Sequence, residues 1–386
     1  MTDDTLEPRP SSDSSAGASS ASAAGGLSPL KKLLFLGIVL LVFVLGIEGG
    51  ARLFLEDPAD SPLMIPVGPD EWKASELHRS DPYLFWRNRT DVDIVYKGAR
   101  VVTNSHGMRD DPVTKRKPAG GFRVLSLGES TTFGSKVEQE ECYSMRLEEC
   151  LDGRSAGREV EVLNAGTPGW SLVQSFVYLE REGLEFDPDV ILVYHGFNDL
   201  LPTSYTSKRV ERAGGSGESG PEAGTDLALA SRKRGTLERV GAWVHERSRA
   251  FRWMAHKAGQ AAAEAKRKKP KTTVEEANPK GEQLARVPEA DRLEVLTRME
   301  RLAKEHGARL LILNPCYRSF MEHRAVLETF VAEHDVEYLD LEPAVESLGG
   351  DRKTHFADGS HPKATVHAKY AEMICEKIAP WIEAGS

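Results

Sequence analysis

The sequence predicts an α/β fold, a three-layer αβα sandwich around a five-stranded parallel sheet, over residues 119–386. Three observations predict it. Short apolar runs of strand length recur at 123–127, 160–163, 190–194, 309–313 and 336–339, and near-continuous apolarity marks strands covered on both faces. Between them, residues 143–151, 172–182, 292–306 and 321–334 carry apolar side chains at helical spacing, and 362–381 closes the chain with the same period. Several runs end in glycine-rich polar clusters, at the carboxyl strand ends where open α/β sheets keep their sites.

A chain of 386 residues holds one sizeable domain plus accessories. At 40% hydrophobic and a net charge of −9 it is an ordinary acidic globular composition, with no basic excess pointing to nucleic acid. The four cysteines, Cys142, Cys150, Cys316 and Cys375, show no Cys-x-x-Cys pairing. They read as buried small hydrophobes, with one long-range disulfide open to an exported domain. Cys142 and Cys150, if on one helix, lie about 12 Å apart along its axis, too far to bridge.

Taken in order, residues 1–30 form a tail rich in Ser, Ala, Gly, Asp and Pro, with too few apolar side chains to offset the entropy of ordering, and disorder is expected there. Lys31 and Lys32 precede an uncharged stretch from Leu33 to Ile47, and residues 31–56 are expected to be a transmembrane signal anchor. Its core is short, and becomes adequate if the helix continues through Leu55, with Glu48 and Arg52 paired four apart near the interface. Gly49-Gly50-Ala51 is a poor match to a signal-peptide cleavage site. The lysines before the span and Glu48, Glu56, Asp57 and Asp60 after it place the tail in the cytoplasm and the large domain outside. Residues 57–118, with aromatic and alternating patches such as Tyr83-Leu84-Phe85-Trp86 and Val92-Asp93-Ile94-Val95-Tyr96, read as a small β-rich lead-in resting on the main domain. An insertion at 201–290 interrupts the α/β rhythm. It is flexible by composition at 214–224 and helical by pattern at 237–269. The basic run 266–271 reads as a solvated helix end. Because the insertion follows Asn198 directly, it is expected to cap the site.

The chemistry gathers at three places. Val124 to Leu127 runs into Gly128-Glu129-Ser130-Thr131-Thr132, with helix expected past Gly134; Val190 to Val193 runs into Tyr194-His195-Gly196-Phe197-Asn198-Asp199; and Asp358-Gly359-Ser360-His361 precedes the last helix. A serine attacks an acyl carbon only when a base takes its proton, that base needs an orienting partner, and the oxyanion needs donors. Ser130, His361, Asp358 and the Asn198 amide supply these types. Each alone also reads structurally: Ser130 as a helix cap, Asp358 and His361 as a capped turn, Asn198 as a cap.

Together these segments resemble the SGNH (GDSL-type) hydrolase superfamily. Gly128-Glu129-Ser130 matches its nucleophile block, Asn164-Ala165-Gly166-Thr167-Pro168-Gly169 its glycine block, Gly196-Phe197-Asn198-Asp199 its Gly-x-Asn-Asp block, and Asp358-Gly359-Ser360-His361 its Asp-x-x-His block. Glu129 stands where the family usually has aspartate, which puts the local hydrogen bonds in question. The resemblance implies a flavodoxin-like sheet order 2-1-3-4-5 and a triad of Ser130, His361 and Asp358. It also implies an oxyanion hole made by the Ser130 and Gly169 backbone N–H groups and the Asn198 side chain, with Gly166 the alternative to Gly169. Asn104-Ser105-His106-Gly107-Met108-Arg109 resembles a segment that precedes the catalytic domain in membrane-anchored members, and His106 is expected to pack or wall the site. No cofactor or metal is expected; His355, Asp358 and His361 stand at steps of three, but no further ligand cluster accompanies them. The function implied is an extracytoplasmic, membrane-tethered serine esterase removing short acyl groups, acetyl above all, from small molecules or polysaccharide. An O-acyltransferase using the same acyl-enzyme and a non-catalytic carbohydrate-binding relic of the fold are the alternatives.

Overall fold

The computed structural model describes residues 28–55, 63–66, 72–81, 83–155, 157–203, 205–206, 225–231, 236–267, 284–318 and 324–384. Of the tail expected to be disordered, 1–27 lies outside the described residues, as do the flexible stretch at 214–224 and residues 268–271 of the basic run, whereas residues 29 and 30 already belong to the first helix. Helix α1 (Pro29–Phe54) begins with Ser28 accepting from the Lys31 amide and proline in its first turn, a favoured helix start. It is long and apolar enough to cross a membrane. The lead-in is three antiparallel strand pairs: β1 (Leu63–Pro66) with β2 (Trp72–Ser75), β3 (His78–Asp81) with β4 (Phe85–Asn88), and β5 (Asp93–Tyr96) with β6 (Ala99–Val102). Its Trp86 is fully buried against the main domain.

The main sheet comprises β7 (Phe122–Gly128), β8 (Val160–Asn164), β9 (Val190–Tyr194), β10 (Arg309–Asn314) and β11 (Glu337–Asp340), all parallel, in the order β11-β10-β9-β7-β8. Counting from β7, that is the expected order 2-1-3-4-5. Every residue of β7 and β9 is buried, because helices cover both faces. Alternate side chains go to opposite layers. Leu125, Leu127, Leu163, Ile191, Val193, Leu310 and Ile312 meet α4 (Leu172–Arg181), α8 (Glu289–Glu305) and α9 (Arg324–Glu333). Val124, Val162, Val190, Leu192, Leu311 and Leu313 meet α3 (Tyr143–Asp152), α10 (Glu342–Glu346) and α11 (Ala364–Ala384). Each such side chain contributes on the order of 2 kcal/mol through burial. The register sets Gly128 opposite Tyr194, and Tyr194 opposite Leu313, so the carboxyl strand ends form one rim.

Two local expectations need correction. Besides the helix expected past Gly134, which is α3, an unexpected turn of helix begins at Ser130 itself. It is the four-residue α2 (Ser130–Phe133), stopped by Gly134 in the left-handed conformation at φ 79°, which glycine adopts without strain. The single helix expected over 237–269 is two, α6 (Thr236–Arg247) and α7 (Arg249–Arg267), after the short α5 (Asp226–Ser231). Ser248 breaks it by accepting from the Phe251 amide, as a helix cap does.

Cys150 on α3 and Cys375 on α11 form a disulfide across 225 residues of sequence, while Cys142 and Cys316 are free and buried. The link clamps the two helices of one layer where Leu147 and Leu151 pack with Ile374 and Ile378. Protein denatured without reductant should titrate two thiols, and four after reduction. Cys150→Ala with Cys375→Ala should lower the unfolding free energy by about 2–5 kcal/mol in urea titration.

Candidate active site

Three loops meet at the sheet's carboxyl rim because glycines let backbone approach backbone. A Cβ on Gly128 would lie 2.9 Å from the Tyr194 carbonyl oxygen, and one on Gly166 would lie 2.4 Å from the Phe133 amide nitrogen. Both are contacts no side chain tolerates. The glycine-rich loop is zipped onto β7 by Ala165 N–H to Ser126 O and Thr167 N–H to Gly128 O. From the other side the lead-in holds it. Asn88 Nδ2 donates to Gly166 O at 3.0 Å, Trp86 Nε1 to Pro168 O at 3.2 Å, and Trp170 Nε1 returns a bond to Trp86 O at 2.7 Å.

Ser130, His361 and Asp358 come together on this rim. His361 Nε2 lies 2.9 Å from Ser130 Oγ, and His361 Nδ1 lies 2.8 Å from each Asp358 oxygen. With Nδ1–H directed at the carboxylate, Nε2 is left to accept the serine proton. Asp358 also accepts from the backbone amides of Ser360 and His361, both at 3.0 Å. Thr131 Oγ1 ties the Ser360 carbonyl to α2 at 3.2 Å. Ser130 and His361 are each 8% exposed.

A fourth side chain, which the motif reading missed, enters this group. Lys136 Nζ donates to Asp358 Oδ2 at 2.6 Å, from a backbone at φ 73°. That left-handed conformation costs a non-glycine residue on the order of 1 kcal/mol. Burial alone would raise the Asp358 carboxyl, but the bonds from His361 and Lys136 outweigh it and hold it far below the usual carboxylate range. Burial, with Lys97 and Lys136 nearby, pushes His361 below its ordinary value against the upward pull of Asp358. The imidazole is therefore neutral at pH 7.

Glu129, where the resemblance leads one to expect aspartate, has both oxygens bonded. Its Oε1 accepts from Tyr317 Oη at 2.6 Å and its Oε2 from the Asn198 amide at 3.1 Å, while Tyr317 Oη accepts from the Phe197 amide at 2.9 Å. The longer acid thus reaches the Asn198 loop and the segment after β10 together. Burial pushes its carboxyl up to about 7, against the Tyr317 bond. Asn198 Nδ2 donates to Trp170 O at 3.0 Å, which leaves its second amide hydrogen uncommitted by that bond. Gly169 is in the left-handed region at φ 84°.

The two ends of the insertion grip the same loops. Arg286 Nη1 donates to the Gly169 carbonyl at 2.9 Å, and its Nη2 donates to Asp226 Oδ2 and Gln174 Oε1, both at 2.8 Å. Asp226 further accepts from Ser171 Oγ and Thr206 Oγ1. Arg286 and Asp226 are wholly buried. The insertion's root is therefore beside the site, as expected from its position after Asn198, but α6 and α7 turn onto α1 at Glu48 and Arg52.

His195 is a core residue, bonded through Nε2 to Ser175 Oγ at 2.8 Å and pushed down to about 3 by burial and the nearby Arg286 and Arg292. His355 bonds the Gly349 carbonyl. His106 packs edge-on against Phe186 and bonds the Val113 carbonyl. Its neighbour Arg109 is wholly buried and clamps the turn after α2 through the carbonyls of Phe133, Gly134 and Val137. Among the described residues no group of His, Cys, Asp and Glu is placed to hold a metal.

No family model and no curated protein matches the sequence. Among solved structures, an acetylxylan esterase from Geobacillus stearothermophilus is similar at 13% identity and TM-score 0.40, covering 67% of this chain and 94% of its own. A GDSL-like lipase from Parabacteroides merdae is similar at 14% identity and TM-score 0.38, covering 68% of this chain and 96% of its own. A two-domain esterase active on acetylated mannans is similar at 12% identity and TM-score 0.39, with 69% of this chain covered. The chain spans about half the length of that esterase, 51%.

Arg286→Met would strand the Asp226 carboxylate in the interior. It should cost about 3–5 kcal/mol in urea unfolding, whereas Arg301→Met on an exposed helix face should stay within about 0.5 kcal/mol. In the order of its four blocks and in the sheet order that carries them, the chain resembles the SGNH hydrolases.

Proposed function

We propose that the protein is a serine ester hydrolase of the SGNH type, tethered to a membrane by α1 with its catalytic domain on the extracytoplasmic side. The single observation carrying the enzymatic part is the unbroken chain of bonds from Ser130 Oγ through His361 to Asp358. In the mechanism, Ser130 Oγ attacks the ester carbonyl while His361 Nε2 takes its proton, and Asp358 fixes the imidazole tautomer and stabilises the imidazolium. The Ser130 and Gly169 backbone N–H groups and the free hydrogen of the Asn198 amide receive the oxyanion. His361 then protonates the leaving alcohol, giving an acyl-Ser130 ester. Water deprotonated by His361 attacks that ester and releases the acid and the serine. Short acyl groups, acetyl above all, on small molecules or polysaccharide are the substrates that the resemblance implies.

Two features support the location. α1 has a window of mean hydropathy 2.5, and the Cys150–Cys375 disulfide belongs to an oxidising compartment.

A fluorophosphonate should label the wild-type protein on Ser130 and leave Ser130→Ala unlabelled; a protein that binds acylated glycan without labelling would defeat the enzymatic reading. Asn198→Ala should lower kcat by about 10²–10³ with little change in KM. Because His361 must be neutral and its pKa is depressed, kcat/KM should hold level at neutral pH and fall only on the acid side of the ordinary histidine range. Lys136→Met removes a positive charge beside the imidazolium and should move that acid limb to higher pH.

A further inference from the structure

Past Lys31 and Lys32, α1 carries two further charges, Glu48 and Arg52, near its far end, and the structure gives both partners. Arg52 Nε donates to Glu48 Oε1 at 2.7 Å. Arg52 Nη2 also donates to the Arg247 carbonyl at the carboxyl end of α6, at 3.1 Å. Glu48 accepts from Ser248 Oγ at 2.8 Å and from the Arg249 and Ala250 amides at 3.0 and 3.3 Å, the amino end of α7. Each charge thus meets the helix end whose dipole it complements. Arg249 Nη1 closes the joint by donating to the carbonyls of Arg52 and Leu55. The corner between α6 and α7 is thus fixed along the last two turns of α1, from Glu48 to Leu55.

The depth of that stretch follows from helix geometry. A bilayer core of about 30 Å takes roughly 20 residues at 1.5 Å each. Counted from Leu33, just past Lys32, the helix leaves the hydrocarbon near Arg52. At this level the corner presents apolar side chains to the outside: Val240, Trp243 and Met254 are each more than half exposed, as are Leu53 and Phe54 at the end of α1. Val240 and Trp243 share one face of α6 with Arg247, whose guanidinium lies 4.9 Å from the Trp243 ring centre. In a chain of net charge −9, residues 236–267 carry seven Lys or Arg against three Asp or Glu. Exposed apolar residues, an amphipathic tryptophan and local positive charge are the combination that suits a helix lying in a headgroup layer.

We infer that the α6–α7 corner is a membrane-surface element, lying in the headgroup layer where α1 emerges, with Val240, Trp243 and Met254 seated among the lipids. The inference depends on α1 spanning the bilayer. It makes the insertion a second hold on the membrane, in which the catalytic domain is braced at the surface as well as tethered to it.

The test uses full-length protein reconstituted in vesicles containing anionic lipid. Fluorophores are placed through Val240→Cys, Trp243→Cys, Leu40→Cys and Glu372→Cys, and quenched by nitroxides carried either on lipid headgroups or deep in the acyl chains. Fluorophores at 240 and 243 should be quenched by headgroup nitroxide several-fold more than one at 372, on the exposed face of α11, while one at 40 responds to the deep nitroxide. If 240 and 243 are quenched no more than 372 while 40 responds, the corner does not touch the membrane and the inference falls, with the span intact. If 40 does not respond to the deep nitroxide, the spanning reading fails and takes this inference with it.

Discussion

The hydrogen bond from Ser130 Oγ to His361 Nε2 joins residues 231 positions apart, and the rest of the architecture is arranged so that it can form. A hydroxyl at the first residue of a four-residue helix and an imidazole in a loop before the last helix have no local reason to meet. They meet because β7 lies inside a parallel sheet, between β8 and β9, and α11 packs beside α3 with the disulfide across them. The Thr131 bond to the Ser360 carbonyl then fixes the final few ångströms. Local geometry at the rim follows from the absence of two Cβ atoms, at Gly128 and Gly166, without which the loops could not close on one another.

Around that bond lies a cluster of buried ionisable side chains. Glu129, Asp199, Asp226, Arg286 and Arg292 all sit within the wall behind the site. Buried ions are costly unless paired and hydrogen-bonded, and here several are paired to backbone groups of the very loops that carry Asn198 and Gly169. Glu129 to the Asn198 amide and Arg286 to the Gly169 carbonyl are the clearest cases. Polar interiors of this kind specify one arrangement of the loops.

Much of this was legible in the sequence. The five apolar runs located the strands within a residue or two, and Gly128-Glu129-Ser130, Asn198 and Asp358 to His361 identified the three loops that converge. The supporting residues were not legible. Lys136 follows no pattern that connects it to Asp358, since the contact depends on a left-handed backbone that sequence period does not report. Tyr317 and Arg286 act through partners 188 and 117 residues away. The break at Ser248 was hidden because both flanking helices share one apolar rhythm, and besides its local bond from the Phe251 amide Ser248 is held by Glu48, in a different segment 200 residues earlier. The Glu48 and Arg52 pair did carry a signal. Two charges four apart in an apolar helix need partners, and the structure supplies them from the insertion.

The most direct measurement of the central claim is peptide mass mapping of protein quenched with acid during turnover of an aryl acetate. An acetyl group is expected on the peptide containing Ser130 and is expected to be absent from Ser130→Ala. Turnover that persists undiminished in Ser130→Ala, with no acyl group on that peptide in the wild type, would contradict the claim.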